Sequence, residues 1–184
     1  LLRSLAALPL ASALPRLAQA APHRLTLAPS MQQIAPSGYP ATELWCVNGS
    51  LPGETLRRRQ GARLTVEVDN QLPQATSLHW HGIRIENAMD GVPGVTQDPI
   101  APGAQFTYDF ALPDAGTYWY HPHINSTNQV GWGMYGGFVV EDPSDPEAFG
   151  DDLVLLISDI SIDFDGSFLP ENNGGGFSRL FGRE

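Results

Sequence analysis

Two short histidine pairs are the residues of this sequence whose types and spacing most clearly indicate chemistry. Four of the five histidines fall in the segments His79-Trp80-His81 and His121-Pro122-His123. Each pair lies at the end of a predicted strand, where residues two apart point to the same side, roughly 6.6 Å apart along the chain. If the two strands are neighbours, the four imidazoles meet. The spacing therefore predicts a metal site formed by His79, His81, His121 and His123.

The ligand type narrows the choice of metal but leaves several metals open. Imidazole suits zinc, copper, nickel and iron. Zinc sites often include cysteine or a carboxylate, and the single cysteine, Cys46, is distant from both pairs in the sequence. Four imidazoles fit copper at least as well, and affinity favours Cu²⁺ at an equivalent site. Cys46 itself lies in an apolar stretch with no histidine beside it, which indicates a buried structural thiol. We expect the fifth histidine, His23, to be incidental.

Short strands must position these pairs. Two segments alternate polar and apolar residues with period two, Arg63–Asp69 and Gln105–Phe110. We expect them to bury Leu64, Val66, Val68, Phe106, Tyr108 and Phe110. Further strands are predicted at 24–28, 42–47, 76–81, 116–121, 137–141 and 153–159. The 19 Gly and 16 Pro supply turns, and no stretch shows convincing helical periodicity. Eight or so strands predict an all-β, Greek-key β-sandwich.

The charge of the chain excludes one class of partner. The sequence has 20 acidic residues against 10 Arg, no Lys, and a formal net charge of −10. An acidic surface repels phosphate backbones, so nucleic acid is not an expected partner.

Composition divides the chain into four parts. Residues 1–20 contain no acid, are rich in Leu and Ala, and end in Ala18-Gln19-Ala20, which is typical of an export-signal remnant. A membrane anchor is the alternative, but two prolines and Arg16 interrupt the run, so no stable span is expected. We expect residues 21–142 to form a first domain, an acidic linker at 143–152, and the incomplete start of a second domain at 153–184. The predicted location is periplasmic or extracellular.

The sequence around the two pairs resembles a known family. The segments 79–82 (HWHG) and 119–123 (WYHPH), with Val47–Gly53, Asp90–Pro93 and Gly116–Tyr118, are similar to the first two copper-binding motifs of the multicopper oxidases. This family includes laccases and bacterial copper-efflux oxidases. The resemblance runs from about Thr42 to Asp159. It implies a cupredoxin fold for the first domain and for the started second domain.

The resemblance also implies roles for single residues. His79 would bind the type 2 copper, and His81, His121 and His123 would bind the type 3 pair. Asp90 would lie near the oxygen-reducing centre, where it would orient water and pass protons. The alternative for Asp90 is a turn residue preceding Gly91.

By the same resemblance, the whole protein would couple one-electron oxidation of an electron donor, either a small molecule or a metal ion, to four-electron reduction of dioxygen to water. The remaining ligands of such enzymes come from His-x-x-His-x-His and His-Cys-His motifs, neither of which occurs here. This segment would supply half of the trinuclear ligands and no type 1 site, and we expect it to be inactive alone. One alternative is a non-catalytic copper-binding cupredoxin module. Another is a two-domain oxidase whose chains trimerise to complete the centre.

Overall fold

Two four-stranded sheets form the fold in the part of the chain that the structure describes. The computed structural model describes residues 21–145 and 152–169. The first sheet has the order β2-β1-β4-β6 and the second the order β3-β8-β7-β5. The strands are β1 (His23–Gln32), β2 (Thr42–Val47), β3 (Gly53–Arg59), β4 (Arg63–Asn70), β5 (His79–His81), β6 (Gln105–Ala111), β7 (Gly116–His121) and β8 (Gly136–Glu141). The predicted all-β sandwich is confirmed.

The core lies between the two sheets because each strand buries every second side chain. In β4 the buried residues are Leu64, Val66 and Val68, as the alternation predicted. In β6 Tyr108 and Phe110 are buried, while Phe106 is only partly covered. Trp80 of β5 has no exposed surface and packs against rings from both sheets. Its ring centroid lies 5.1 to 6.0 Å from those of Tyr108, Phe110, Tyr120 and Phe138.

Three elements were missed by the sequence patterns. Strand β3 carries Arg57-Arg58-Arg59, which does not resemble a strand, and only Gly53 and Leu56 of it are buried. It lies at the edge of its sheet, where arginine side chains reach solvent. Helix α1 (Ser126–Gly131) is too short for a helical period to be visible. A 3₁₀ helix at Asn87–Met89 was missed for the same reason.

The predicted strand at Leu153–Asp159 is wrong. The prediction rested on the apolar run Leu153–Ile157, but in the described segment 152–169 the backbone of these residues pairs with no strand. Their burial nevertheless alternates along the chain. Leu153, Leu155 and Ile157 are 74 to 96% exposed, whereas Val154 and Leu156 are partly buried. Whether residues 153–184 begin a second cupredoxin domain stays a prediction, as does the 143–152 linker.

Strand β5 is shorter than the predicted 76–81. It spans three residues, because Thr76 forms only an isolated bridge with Ile100. The expected export signal at 1–20 lies outside the described residues. Within the part of the chain that the structure describes, no helix is long and apolar enough to cross a membrane.

Candidate metal centre

The register of strands β5 and β7 brings the two histidine pairs together. The strands are antiparallel, with His79 opposite His121 and His81 opposite Trp119. Residues directly opposite each other share a face of the sheet. The ring centroid of His79 lies 5.7 Å from that of His81, 5.4 Å from that of His121 and 5.1 Å from that of His123. The predicted meeting of the four imidazoles is confirmed, and their binding of metal stays a prediction.

The nitrogen atoms of three imidazoles converge most closely. His79, His81 and His121 each offer a ring nitrogen, and these three atoms all lie within 4.8 Å of one another. His81 Nδ1 and His121 Nε2 face each other at 3.2 Å. His123 lies at the rim, with its ring centroid 6.1 Å from that of His121. The geometry is therefore a group of three with a fourth ring beside it.

Backbone carbonyls orient the two opposed rings. Asp90 O lies 2.6 Å from His79 Nδ1, and Pro122 O lies 2.8 Å from His121 Nδ1. A carbonyl oxygen only accepts, so each Nδ1 must carry the proton and donate it. Each Nε2 then keeps its lone pair for a metal, which is how protein partners usually fix a metal-binding histidine.

Burial favours the neutral form of His121. The residue is only 7% exposed. This desolvation is the main cause that lowers the pKa of His121 to about 4. The hydrogen bond to Pro122 opposes the shift, and the three neighbouring imidazoles add to it. Neutral imidazole is the form that binds metal.

Hydrogen bonds to the stretch before β5 hold the second pair in place. The backbone N–H of His123 donates to Ser77 Oγ at 3.1 Å. The fully buried Gln129 of helix α1 donates from Nε2 to the carbonyl of Ala75 at 2.9 Å, and its Oε1 accepts from Thr76 Oγ1 at 2.7 Å. Helix α1 therefore anchors the loop that follows His123.

Trp119 covers one side of the group. Its ring stacks on His121 with a centroid separation of 4.1 Å and an interplanar angle of 24°. It also lies 5.1 Å from His81. Sequence reasoning missed Trp119, although its position two residues before His121 places both on the same face of β7.

Asp90 combines a turn with a carboxylate near the rings. Its backbone N–H donates to Asn87 O at 3.2 Å and closes the 3₁₀ helix. Its Oδ1 lies 3.4 Å from His79 Nδ1, and the side chain is 33% exposed. The turn position, which was the alternative, is observed. It leaves the carboxylate beside His79 and open to solvent.

Cys46 and His23 lie outside this group. Cys46 is free and fully buried, and burial raises its pKa to about 11. This agrees with the expected structural thiol. His23 stands at the start of β1, where its Nε2 lies 3.1 Å from Glu54 Oε2.

Comparisons with known proteins agree with this geometry. The family model described as multicopper oxidase matches residues 29–145. Over 134 residues the chain is 38% identical to multicopper oxidase MmcO of Mycobacterium tuberculosis, covering 73% of this chain and 26% of that protein. It is 44% identical over 115 residues to copper resistance protein A of Pseudomonas syringae pv. tomato, covering 61% of this chain and 18% of that one.

Solved structures give the same result. The crystal structure of Lac15 from a marine microbial metagenome matches with a TM-score of 0.76 and 46% identity, covering 81% of this chain and 40% of that one. A multi-copper oxidase from Pseudomonas parafulva matches with a TM-score of 0.75 and 43% identity, covering 82% of this chain and 36% of that one.

The chain spans about a fifth to a quarter of the length of the two curated relatives, copper resistance protein A and MmcO.

Proposed function

Because this chain belongs to the multicopper oxidase family, as the resemblance predicted, we propose that it supplies half of the ligands of a trinuclear copper centre. The whole protein would couple one-electron oxidation of a donor to four-electron reduction of dioxygen to water. The observation that carries this proposal is the meeting of four imidazoles on neighbouring strands, two of them oriented by carbonyls. Export to the periplasm or the extracellular space belongs to the same proposal.

The donor set fits copper. Imidazole nitrogens are suitable ligands for copper, and the group contains neither thiolate nor a carboxylate among its three converging atoms. Following the family resemblance, His79 would hold the type 2 copper, and His81, His121 and His123 the type 3 pair. When bound, copper supplies the one-electron redox steps that join the donor to dioxygen. A type 1 site needs a cysteine thiolate, and Cys46 does not suit it because it is buried and far from ionisation at neutral pH. The type 1 site and the remaining trinuclear ligands would therefore come from residues outside this segment.

The residues around the imidazoles prepare them for this task. The carbonyls of Asp90 and Pro122 keep two Nε2 atoms available before any metal arrives, which reduces the ordering needed on binding. Trp119 packs against His121 and shields that side of the ring from water.

Asp90 would handle protons. Reduction of dioxygen to water consumes protons, so a group is needed that contacts both the centre and solvent. The carboxylate of Asp90 is placed for this, since Oδ1 lies 3.4 Å from the His79 ring while the side chain is partly exposed. We propose that it orients water beside His79 and passes protons inward.

Oxygen uptake and copper content of the complete protein test the proposal. We expect the copper-loaded protein to consume oxygen with at least one donor from a set of phenols, aromatic amines, bilins and cuprous ion, and variants His79→Ala and His121→Ala to lose both copper and uptake. His23→Ala is the matched control, because that imidazole lies outside the group. Residues 21–184 alone should bind copper weakly, lack an intense blue colour and consume no oxygen. Turnover by this segment alone would overturn the proposal in favour of a self-contained copper enzyme. Copper binding without oxygen uptake in the complete protein would favour a non-catalytic module.

A further inference from the structure

The turn at Asp90–Gly91 lies directly on the backbone that carries His79. Gly91 is buried, with φ +77°, and a Cβ built on it would stand 1.9 Å from Leu78 O. The same Cβ would stand 2.6 Å from the Leu78 carbonyl carbon and 3.0 Å from His79 Cα. These neighbours are backbone atoms, which cannot rotate away as the end of a side chain can. Only glycine allows the turn to approach β5 so closely.

This close approach decides which oxygen of Asp90 meets His79. The backbone carbonyl lies 2.6 Å from Nδ1, whereas the carboxylate Oδ1 lies 3.4 Å away. The shorter contact has hydrogen-bond geometry, and the longer one exceeds the usual range for N–H···O bonds. The carbonyl is therefore the partner that keeps the proton on Nδ1.

We propose that Gly91 is a positioning residue for His79. It lets the turn rest on Leu78, so that the Asp90 carbonyl holds the Nδ1–H tautomer and Nε2 would keep its lone pair for a metal. It also leaves the Asp90 carboxylate free for protons. The inference rests on the proposed function for its purpose, but the tautomer itself does not depend on copper.

Gly94 provides a matched control within the same loop. Its φ is also +77°, yet an added Cβ would meet nothing within 4 Å. Gly91→Ala and Gly94→Ala therefore impose the same kind of backbone strain, and only the first pushes the turn away from β5.

The test measures the His79 tautomer in the copper-free complete protein by NMR with ¹⁵N-labelled histidine. We expect the Nδ1–H form in the wild type, in Gly94→Ala and in Asp90→Ala, which keeps the backbone carbonyl. Gly91→Ala should give a mixture of tautomers. On copper titration its affinity at the His79 site should fall about 10- to 100-fold, the usual effect of losing a partner of a ligand.

Two results would overturn the inference. One is a retained Nδ1–H form in Gly91→Ala. The other is its loss in Asp90→Ala, which would assign the role to the carboxylate. If Gly91→Ala does not fold, the Asp90→Ala spectrum alone decides between carbonyl and carboxylate. A correct tautomer in a wild-type protein that binds no copper would contradict the proposed function and leave the role of Gly91 standing.

Discussion

In the first histidine pair both members belong to strand β5, whereas in the second pair only His121 belongs to a strand and His123 lies beyond the end of β7. The sheet register therefore places three imidazoles, and the fourth depends on the loop and on helix α1. Each pair also has one ring held through Nδ1 by a carbonyl, His79 or His121. The other two, His81 and His123, are exposed. Strand pairing is thus enough to bring ligands together, while tertiary hydrogen bonds decide how firmly each one is held.

The largest effect is expected on the side of the first pair. In the complete enzyme, Asp90→Asn should leave the copper content near normal and slow oxygen reduction about 10- to 100-fold, with an altered pH profile. The carbonyl that holds His79 is retained, and only the ionisable group is lost. Steady-state oxygen uptake against pH measures this. An unchanged rate and pH dependence would show that Asp90 is only a turn residue.

The next largest effect is expected at Gln129, which anchors the loop after the second histidine pair. Gln129→Leu removes both side-chain hydrogen bonds and leaves the Ala75 carbonyl and the Thr76 hydroxyl without this partner. A buried polar group left unsatisfied costs about 1–3 kcal/mol, so the free energy of unfolding should fall by that amount in urea titrations. Asn128→Leu, at an exposed position of the same helix, is the control. Equal losses in the two variants would contradict the anchoring role.

Acidification should destabilise the folded chain through the buried imidazole of His121, which belongs to the second pair. The pKa of His121 is about 4 in the folded chain against an ordinary 6.5. The unfolded chain therefore binds more protons between these values, and the stability that His121 contributes is complete above about pH 6.5. It is lost as the pH falls towards 4, by at most about 1.4 kcal/mol per pH unit.

Urea titrations of the copper-free protein across this pH range measure the slope. His121→Asn should flatten it relative to the wild type. An identical slope in both proteins would assign the acid sensitivity to other groups.

The smallest effect is expected where one hydrogen bond holds His123. Ser77→Ala removes the oxygen that accepts from the backbone of His123. A single hydrogen bond of this kind contributes about 0.5–1.5 kcal/mol. We expect a loss of stability within that range and weaker copper binding at the proposed type 3 pair, with the His79 tautomer unchanged in NMR spectra. A changed tautomer would show that the two pairs are held as one unit.

The sequence predicted those features of the fold and the site that depend on a repeating spacing of residues along a strand. The alternation in β4 correctly predicted its buried face, and the spacing of the histidine pairs correctly predicted that they meet. The apolar run at Leu153–Ile157 wrongly predicted a strand over 153–159, because a strand also needs a partner for its backbone. The opposite error occurred at β3, which is a strand that was not predicted. Its run of arginines does not look like a strand, but an edge position tolerates it.

The supporting residues of the site could not be found in this way. Gln129 reaches Ala75 across 54 positions, and Ser77 reaches His123 across 46. Such bonds depend on the tertiary fold and leave no local pattern. The proposed role of Gly91 could not be predicted either, because an Asp-Gly pair in a sequence indicates only a turn. Trp119 was also missed, but the period of two is a local pattern that could have placed it beside His121.

In the pairing of β5 with β7, Trp80 lies opposite Tyr120, next to the pair formed by His79 and His121. Histidines and large core rings therefore alternate along both strands. Shifting either strand by one residue would turn that strand's own histidine side chains towards the core and its large ring, Trp80 or Tyr120, towards solvent. The proposed metal ligands and the core residues thus alternate along the same strands. Point substitutions can remove the proposed ligands while the sandwich remains folded. Single-residue insertions or deletions in β5 or β7 should cost the fold itself, so natural length variation ought to be confined to the connecting loops.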